Sequence, residues 1–186
     1  MTGTNGFRGM IRAIASLLLI FIIIVGIISY FDLMSYTATG HEILPADNAK
    51  GMALIVYDPG MMGMGAKTAH WMGHDLQVRG YEANVSGIRS EGIQNATAYD
   101  IIIVIGPTYI GGTPGPVRGY LEKAQLKPDA RIGVLAIRGL KGDDASAGMR
   151  EVLENRSIAV KVNGNIGAWD TDAEEQSYAF TYSLLQ

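Results

Sequence analysis

The pattern of apolar and polar positions divides the chain into three zones. From Ala13 to Phe31 no charged residue occurs, and Leu17-Leu18-Leu19-Ile20-Phe21-Ile22-Ile23-Ile24-Val25 is apolar on every side. A core helix ordinarily keeps a polar stripe. As a helix this stretch rises about 28 Å at roughly 1.5 Å per residue, close to the ~30 Å of a bilayer core. The pattern predicts one transmembrane helix over 13–34, preceded by a short N-terminal segment, 1–12. Two other readings compete with it. A cleaved signal peptide needs an apolar region of about 7–15 residues and a small-x-small site, whereas Tyr36-Thr37-Ala38 puts a bulky ring where a small residue is wanted. The other is a soluble buried helix. Residues 35–50, with Gly40, Pro45 and a run of hydroxyls, read as a linker.

From 51 to 186 apolar runs alternate with helical spacing. Met52–Tyr57 is a short apolar run ended by Asp58-Pro59-Gly60, as a buried parallel strand requires. Lys67–Arg79 carries Thr68, Met72 and Leu76 at helical spacing and closes on Gly80. Tyr81–Ser86 is a weaker second strand, and Ile101–Ile105, stopped by Gly106-Pro107, is the strongest. A helix follows over Pro116–Lys123, with proline in its first turn. The remaining elements are a strand at Ile132–Ile137, a helix at Ser146–Asn155 that Asp143 or Asp144 would cap, a strand at Ile158–Val162 and a terminal helix at Thr171–Leu185. This alternation predicts an α/β domain with a five-stranded parallel sheet.

Composition narrows the chemistry. The 186 residues include no cysteine, which excludes disulfides, thiolate metal sites and a cysteine nucleophile. A net charge of −3 offers no basic field for nucleic acid. Arg8 and Arg12 precede the apolar span, and the first cation after it is Lys50, beyond Asp32, Glu42 and Asp47. The positive-inside rule then sets the N-terminus in the cytoplasm and the domain outside the cell membrane. The sequons at Asn84, Asn95 and Asn155 lean the same way. The surplus is glycine, 24 residues, and much of it falls after the predicted strands, at Asp58–Ala66, Gly106–Gly115 and Arg138–Asp144. Ligands of parallel α/β sheets bind at such carboxyl ends.

Other candidate groups carry less. His70 and His74 have a chelating i,i+4 spacing, but only Asp75 stands near as a third ligand, and no metal site is expected. Met61, Met62 and Met64 read as apolar filling of their loop. Asp170, Asp172, Glu174 and Glu175 read as charges favoured at a helix start. Neither a Ser-His-Asp set nor a pair of catalytic carboxylates follows from the spacing, so no catalytic residue is assigned.

The run Asp100-Ile101-Ile102-Ile103-Val104-Ile105-Gly106-Pro107-Thr108-Tyr109-Ile110-Gly111-Gly112-Thr113-Pro114, followed by Val117 and Leu121-Glu122-Lys123, resembles the flavodoxin-like family. The resemblance covers 51–186. It implies a three-layer sandwich with strand order 2-1-3-4-5 and FMN bound at the loops after strands one, three and four. Electron transfer or quinone reduction is the usual activity, and a redox protein is the usual partner. Carried onto this chain, the cofactor contacts fall on Met62, Gly63, Met64, Gly65 and Lys67 in the first loop and helix start. They continue at Pro107, Thr108, Tyr109, Gly111 and Gly112 in the second loop, and at Arg138 and Gly139 in the third. The first loop departs from the family pattern. Where the family has a hydroxyl-rich phosphate turn, this chain has Asp58-Pro59-Gly60-Met61-Met62-Gly63-Met64-Gly65, without a hydroxyl. Two functions follow as expectations: a membrane-anchored, FMN-binding electron carrier or oxidoreductase, or a flavin-free domain of the same fold serving as a tethered binding module.

Overall fold

The computed structural model describes the backbone of residues 4–36, 38–60, 63–108, 112–139 and 146–186; within the first helix, side chains are described at 9, 10, 12–27, 29 and 30. The chain forms two compact units, Met1–Met34 and Ser35–Gln186.

The first unit is built on helix α1, Thr4–Tyr36, which includes the whole predicted apolar span and runs past both of its ends. Leu17 to Val25 stand between 44% and 68% exposed, so the uncharged surface faces outward all round. Among the described residues no helical run is long and apolar enough to cross a membrane, the stretch with side chains described without a break being 12–27.

The second unit is the α/β domain. Its elements are strands β1 (His41–Leu44), β2 (Met52–Tyr57), β3 (Glu82–Gly87), β4 (Asn95–Ala96), β5 (Ile101–Thr108), β6 (Gln125–Leu126), β7 (Arg131–Arg138) and β8 (Val162–Gly167), with helices α2 (Met64–Val78), α3 (Gly115–Lys123), α4 (Ala147–Glu154) and α5 (Ala173–Leu185). The main sheet runs β1-β3-β2-β5-β7-β8. The last five strands of that order are mutually parallel, and they reproduce the expected 2-1-3-4-5 arrangement.

Two expectations are corrected. The sheet has six strands, because His41–Leu44, inside the predicted linker, pairs antiparallel with β3 in the register His41↔Ser86 to Leu44↔Ala83. The last strand is Val162–Gly167 and not Ile158–Val162; Ile158 and Val160 instead pack half-buried against the core beside α4. A further two-stranded ladder, β4 with β6, lies apart from the main sheet.

Alternation along each strand assigns the two faces. Leu54, Val56, Ile102, Val104, Ile132, Val134 and Ala136 pack under α3 and α4. Ala53, Ile55, Ile101, Ile103, Ile105, Leu135, Ile137 and Ile166 pack under α2 and α5 with Ala69, Met72, Leu76, Phe180 and Leu184. β5 is buried along its entire length, which matches its unbroken apolar run. Because each helix returns antiparallel to the strands, the helix N-termini gather at the carboxyl edge of the sheet.

Candidate functional site

That carboxyl edge holds the segments after β2, β5 and β7. β2 ends at Tyr57, and the amide of Asp58 still bonds the Ile105 carbonyl at 2.9 Å, prolonging the β2–β5 pairing by one step. Asp58 itself is fully buried and its Oδ1 accepts the Gly60 amide at 3.1 Å. Gly60 and Gly63 both have positive φ, 59° and 69°, a backbone state that costs glycine least. Gly63 is the N-cap of α2, and no side chain caps that helix.

The predicted site residues divide by what surrounds them. Gly65 gives its amide to the Pro59 carbonyl at 3.0 Å, and a Cβ there would stand 2.0 Å from the Asp58 carbonyl oxygen. Close packing of the helix start on the loop is therefore enough to require glycine. The Met64 side chain is buried among the residues under α2, whereas Lys67, in the first turn, is exposed. Around Gly63, Gly112 and Gly139 a Cβ would meet none of the described residues within 4 Å. Pro107 and Thr108 close β5 opposite Ile137 and Arg138 of β7, which sets the points where the second and third loops begin side by side. Met62, Tyr109 and Gly111 lie outside the described residues, as do Met61 and the expected caps Asp143 and Asp144.

Thr108 is 5% exposed, and its hydroxyl has no hydrogen-bond partner among the described residues. It shares the face of Gly106, whose missing Cβ lets Val117 of α3 and Met149 of α4 approach. An orphaned buried hydroxyl costs about 1–3 kcal/mol. Thr68, fully buried on α2, and Thr113, against Gly148 of α4, also keep unpartnered hydroxyls. Neither was singled out from the sequence as a polar group. In the sequence Thr68 reads as a member of the buried helical stripe, and Thr113 as part of the Gly-Gly-Thr-Pro turn.

The helix starts at this edge bring partial positive charge. None of α2, α3, α4 and α5 has a side-chain cap, and only α5 carries acids in its first turn, Glu174 and Glu175. Uncapped helix N-termini present free N–H groups and partial positive charge. Beyond β8, the turn Gly167–Asp170 holds an exposed Trp169 beside the end of β7: Ala168 donates to the Arg138 carbonyl at 2.8 Å, and Asp170 Oδ2 accepts the Gly167 amide at 2.7 Å. Its rigid setting could not be foreseen, because it depends on the end of β8 falling at Gly167.

The histidine pair does not converge. His70 Nδ1 lies 3.1 Å from Glu42 Oε2, and His74 Nδ1 lies 3.4 Å from Gln77 Oε1. Among the described residues no group of three or more histidines and carboxylates is placed to hold a metal. Asn84 of the first sequon is half-buried in β3, where its amide donates to the Tyr99 hydroxyl at 2.8 Å.

No protein-family model and no curated protein matches this chain. Solved structures do match. The flavodoxin of Streptococcus pneumonia TIGR4 aligns with a TM-score of 0.59 at 18% identity, over 72% of this chain and 97% of that one. The two-electron reduced flavodoxin of Megasphaera elsdenii aligns with a TM-score of 0.58 at 14% identity, over 72% and 98%. The rubredoxin oxygen:oxidoreductase of the anaerobe Desulfovibrio gigas aligns at 0.57 and 15% identity, over 74% of this chain, which spans only 36% of that larger protein. The domain has the flavodoxin-like fold.

Proposed function

We propose that the chain is a membrane-anchored flavodoxin-like protein that holds FMN at the carboxyl edge of its sheet and serves as an electron carrier or oxidoreductase. One observation carries the reading: the buried, unpartnered hydroxyl of Thr108 at the end of β5, in a fold shared with flavodoxins. A ligand acceptor at that hydroxyl removes the cost of leaving it unpaired. The residues present fit the group. The amides at the start of α2, around Gly63 and Met64, and the Lys67 ammonium would hold the phosphate. The backbones of Gly112 and Gly139, uncrowded by any described residue, would admit the ring system, with Tyr109, Gly111 and Arg138 as its further neighbours. When bound, the flavin supplies one- and two-electron transfer. The protein's part is to bind and orient it, to exclude water around Thr108, and to leave one edge open toward a redox protein partner.

The anchor belongs to the same proposal. A helix exposing Leu17 to Val25 on every side has no use for that surface in water, and a bilayer is the environment that matches it. The flanking charges orient the N-terminus to the cytoplasm and the domain outward.

A second reading rests on the first loop. It lacks hydroxyls and sets the buried Asp58 beneath α2's first turn, which disfavours a phosphate. In this reading the fold is a flavin-free, tethered interaction module.

Titrating the full-length chain, in detergent micelles, with FMN while following flavin fluorescence separates the two. Binding quenches the fluorescence and gives a yellow protein absorbing near ~450 nm, the range of a protein-bound flavin. Replacing Thr108 by valine weakens that binding by about tenfold, the loss of one hydrogen bond of ~1.4 kcal/mol. A colourless chain that leaves FMN fluorescence unchanged establishes the flavin-free module.

A further inference from the structure

The three sequons, Asn84-Val85-Ser86, Asn95-Ala96-Thr97 and Asn155-Arg156-Ser157, have the form that an N-linked glycan requires, an asparagine with a hydroxyl two positions on. The glycan is bulky, so its acceptor must also stand at the surface. The fold treats the three differently. Asn84 is closed. It lies inside β3, opposite Ile43 of β1 on one side and Leu54 of β2 on the other. Its Nδ2, the atom that would take a sugar, donates to the Tyr99 hydroxyl at 2.8 Å, and its Oδ1 accepts from Ser86 at 2.7 Å. Ser86 is fully buried, so the hydroxyl of this sequon is out of reach as well.

Asn155 is exposed but wound into a helix end. It caps α4 in helical conformation, and Ser157 sits at a φ of 59°. The amides of Asn155, Arg156 and Ser157 bond the carbonyls of Glu151, Leu153 and Glu154 at 2.9, 2.9 and 2.8 Å. The Arg156 guanidinium donates through Nη1 to the Leu121 carbonyl and through Nη2 to the Ala124 carbonyl, the latter at 2.7 Å, which ties the middle of this sequon to the end of α3. A transferase would have to break these bonds before it could draw the tripeptide away from the domain.

Asn95 is presented. Asn95 and Thr97 are exposed while Ala96 between them is buried, the alternation that puts residues i and i+2 on one face. Thr97 Oγ1 donates to Asn95 Oδ1 at 2.7 Å, and the Thr97 amide lies 3.4 Å from the same oxygen. Both contacts use the carbonyl oxygen, and neither uses Nδ2. The segment is held by the two-residue ladder with β6, short enough to open without disturbing the main sheet. β6 follows the C-terminal end of α3, so this turn lies toward the amino edge, and a glycan on it leaves the carboxyl edge clear. We infer that Asn95 is the N-glycosylation site of this chain, with a lipid-linked sugar phosphate as donor. Asn95 Nδ2 forms a bond to the anomeric carbon, the bond from that carbon to the phosphate oxygen breaks, the lipid phosphate leaves with the electron pair, and Nδ2 gives up one proton. The inference rests on the outward orientation of the domain proposed above, the side on which secreted asparagines are modified.

The test uses full-length chain purified from the membranes of the cells that naturally make it. Trypsin cuts after lysine and arginine and so places the three sequons on separate peptides, 80–89, 90–118 and 151–156. Mass spectrometry is expected to find sugar mass on 90–118 and unmodified masses for 80–89 and 151–156. Thr97→Val keeps Asn95 and the shape of the side chain, yet it should abolish the added mass and speed the chain on a denaturing gel. Thr97→Ser should retain both the mass and the slower band. Thr97 is exposed, so both variants are expected to melt with the parent, which separates loss of the glycan from loss of the fold. Protease added to intact cells reads the orientation independently. A domain cut from outside whose 90–118 peptide is unmodified overturns the inference and leaves the orientation standing, whereas a protected, unmodified domain overturns both. Sugar on 80–89 or 151–156 also overturns it, as does an added mass that survives Thr97→Val.

Discussion

At the scale of single residues, Thr108 separates stability from binding. Its hydroxyl is buried without a partner, so exchanging it for a methyl of the same shape removes a polar group that nothing satisfies. Thr108→Val is expected to melt at the same temperature as the parent or slightly above it, measured by circular dichroism, even as it weakens FMN. A lowered melting temperature would mean that the hydroxyl is paired in solution without any ligand. Gly65 gives the opposite case. A methyl there collides with the Asp58 carbonyl, and Gly65→Ala is expected to cost about 1–3 kcal/mol in urea unfolding. Asp100 makes a third. The Lys127 ammonium, 2.6 Å from Oδ1, and then the Met52 amide, 3.0 Å from Oδ2, hold its carboxyl below the usual carboxylate range. A depressed carboxylate contributes stability above its unfolded pKa, about 3.9, and loses it as the pH falls toward the folded value. Asp100→Asn should therefore flatten the acid limb of melting temperature against pH below about 4, and added salt should narrow the difference, because the pair is partly exposed.

At the scale of elements, what could be read from the sequence was what burial writes into it. β2, β5 and β7 are central, buried on both faces, and appear as unbroken apolar runs whose ends agree with prediction to within a few residues. The edges were not legible. β1 is four residues long and buries only Leu44, so His-Glu-Ile-Leu has no alternation to detect and reads as linker between Gly40 and Pro45. β8 is Val-Asn-Gly-Asn-Ile-Gly. Its Asn163 and Asn165 side chains bond Ser146 at the start of α4, and Gly164 lets Phe180 close in. Side chains spent on a helix start leave no apolar signal, and the alternation of Ile158-Ala159-Val160-Lys161-Val162 drew the strand too early. Of the site, the loops and Thr108 were legible as positions, while the unpaired state of Thr108 depends on tertiary burial, which no local pattern encodes. The attachment of β1 is testable at Gly87. A methyl there strikes the Ala38 carbonyl and pries residues 38–41 from the sheet edge. Gly87→Ala is expected to raise hydrogen exchange of the Gly87 and Arg89 amides while the β5 amides stay protected. Uniform loss of protection would instead mean that β1 is required for the whole sheet.

At the scale of the whole molecule, the proposed anchor assigns the two units to different solvents. Ser35–Gln186 encloses apolar cores on both faces of its sheet, whereas α1 turns Leu17 to Val25 outward. Each outward leucine or isoleucine left in water forgoes about 1.5–3 kcal/mol of burial, and a run of such residues exceeds the 5–15 kcal/mol that holds an ordinary domain together. In the proposed reading a bilayer would remove that deficit. Full-length chain is accordingly expected to stay in the membrane pellet through an alkaline carbonate wash, and a chain beginning at Ser35 to be released. Release of both would place α1 against protein instead of lipid. Orientation then turns on two cations, because Arg8 and Arg12 stand before the apolar span and the first cation after it is Lys50. Protease added outside intact cells should cut the domain, and Arg8→Glu with Arg12→Glu should protect a fraction of it by weakening the bias that holds the N-terminus inside. A parent domain wholly protected from outside protease would reverse the orientation, and would put the proposed flavin site on the side of the cytoplasmic reductants.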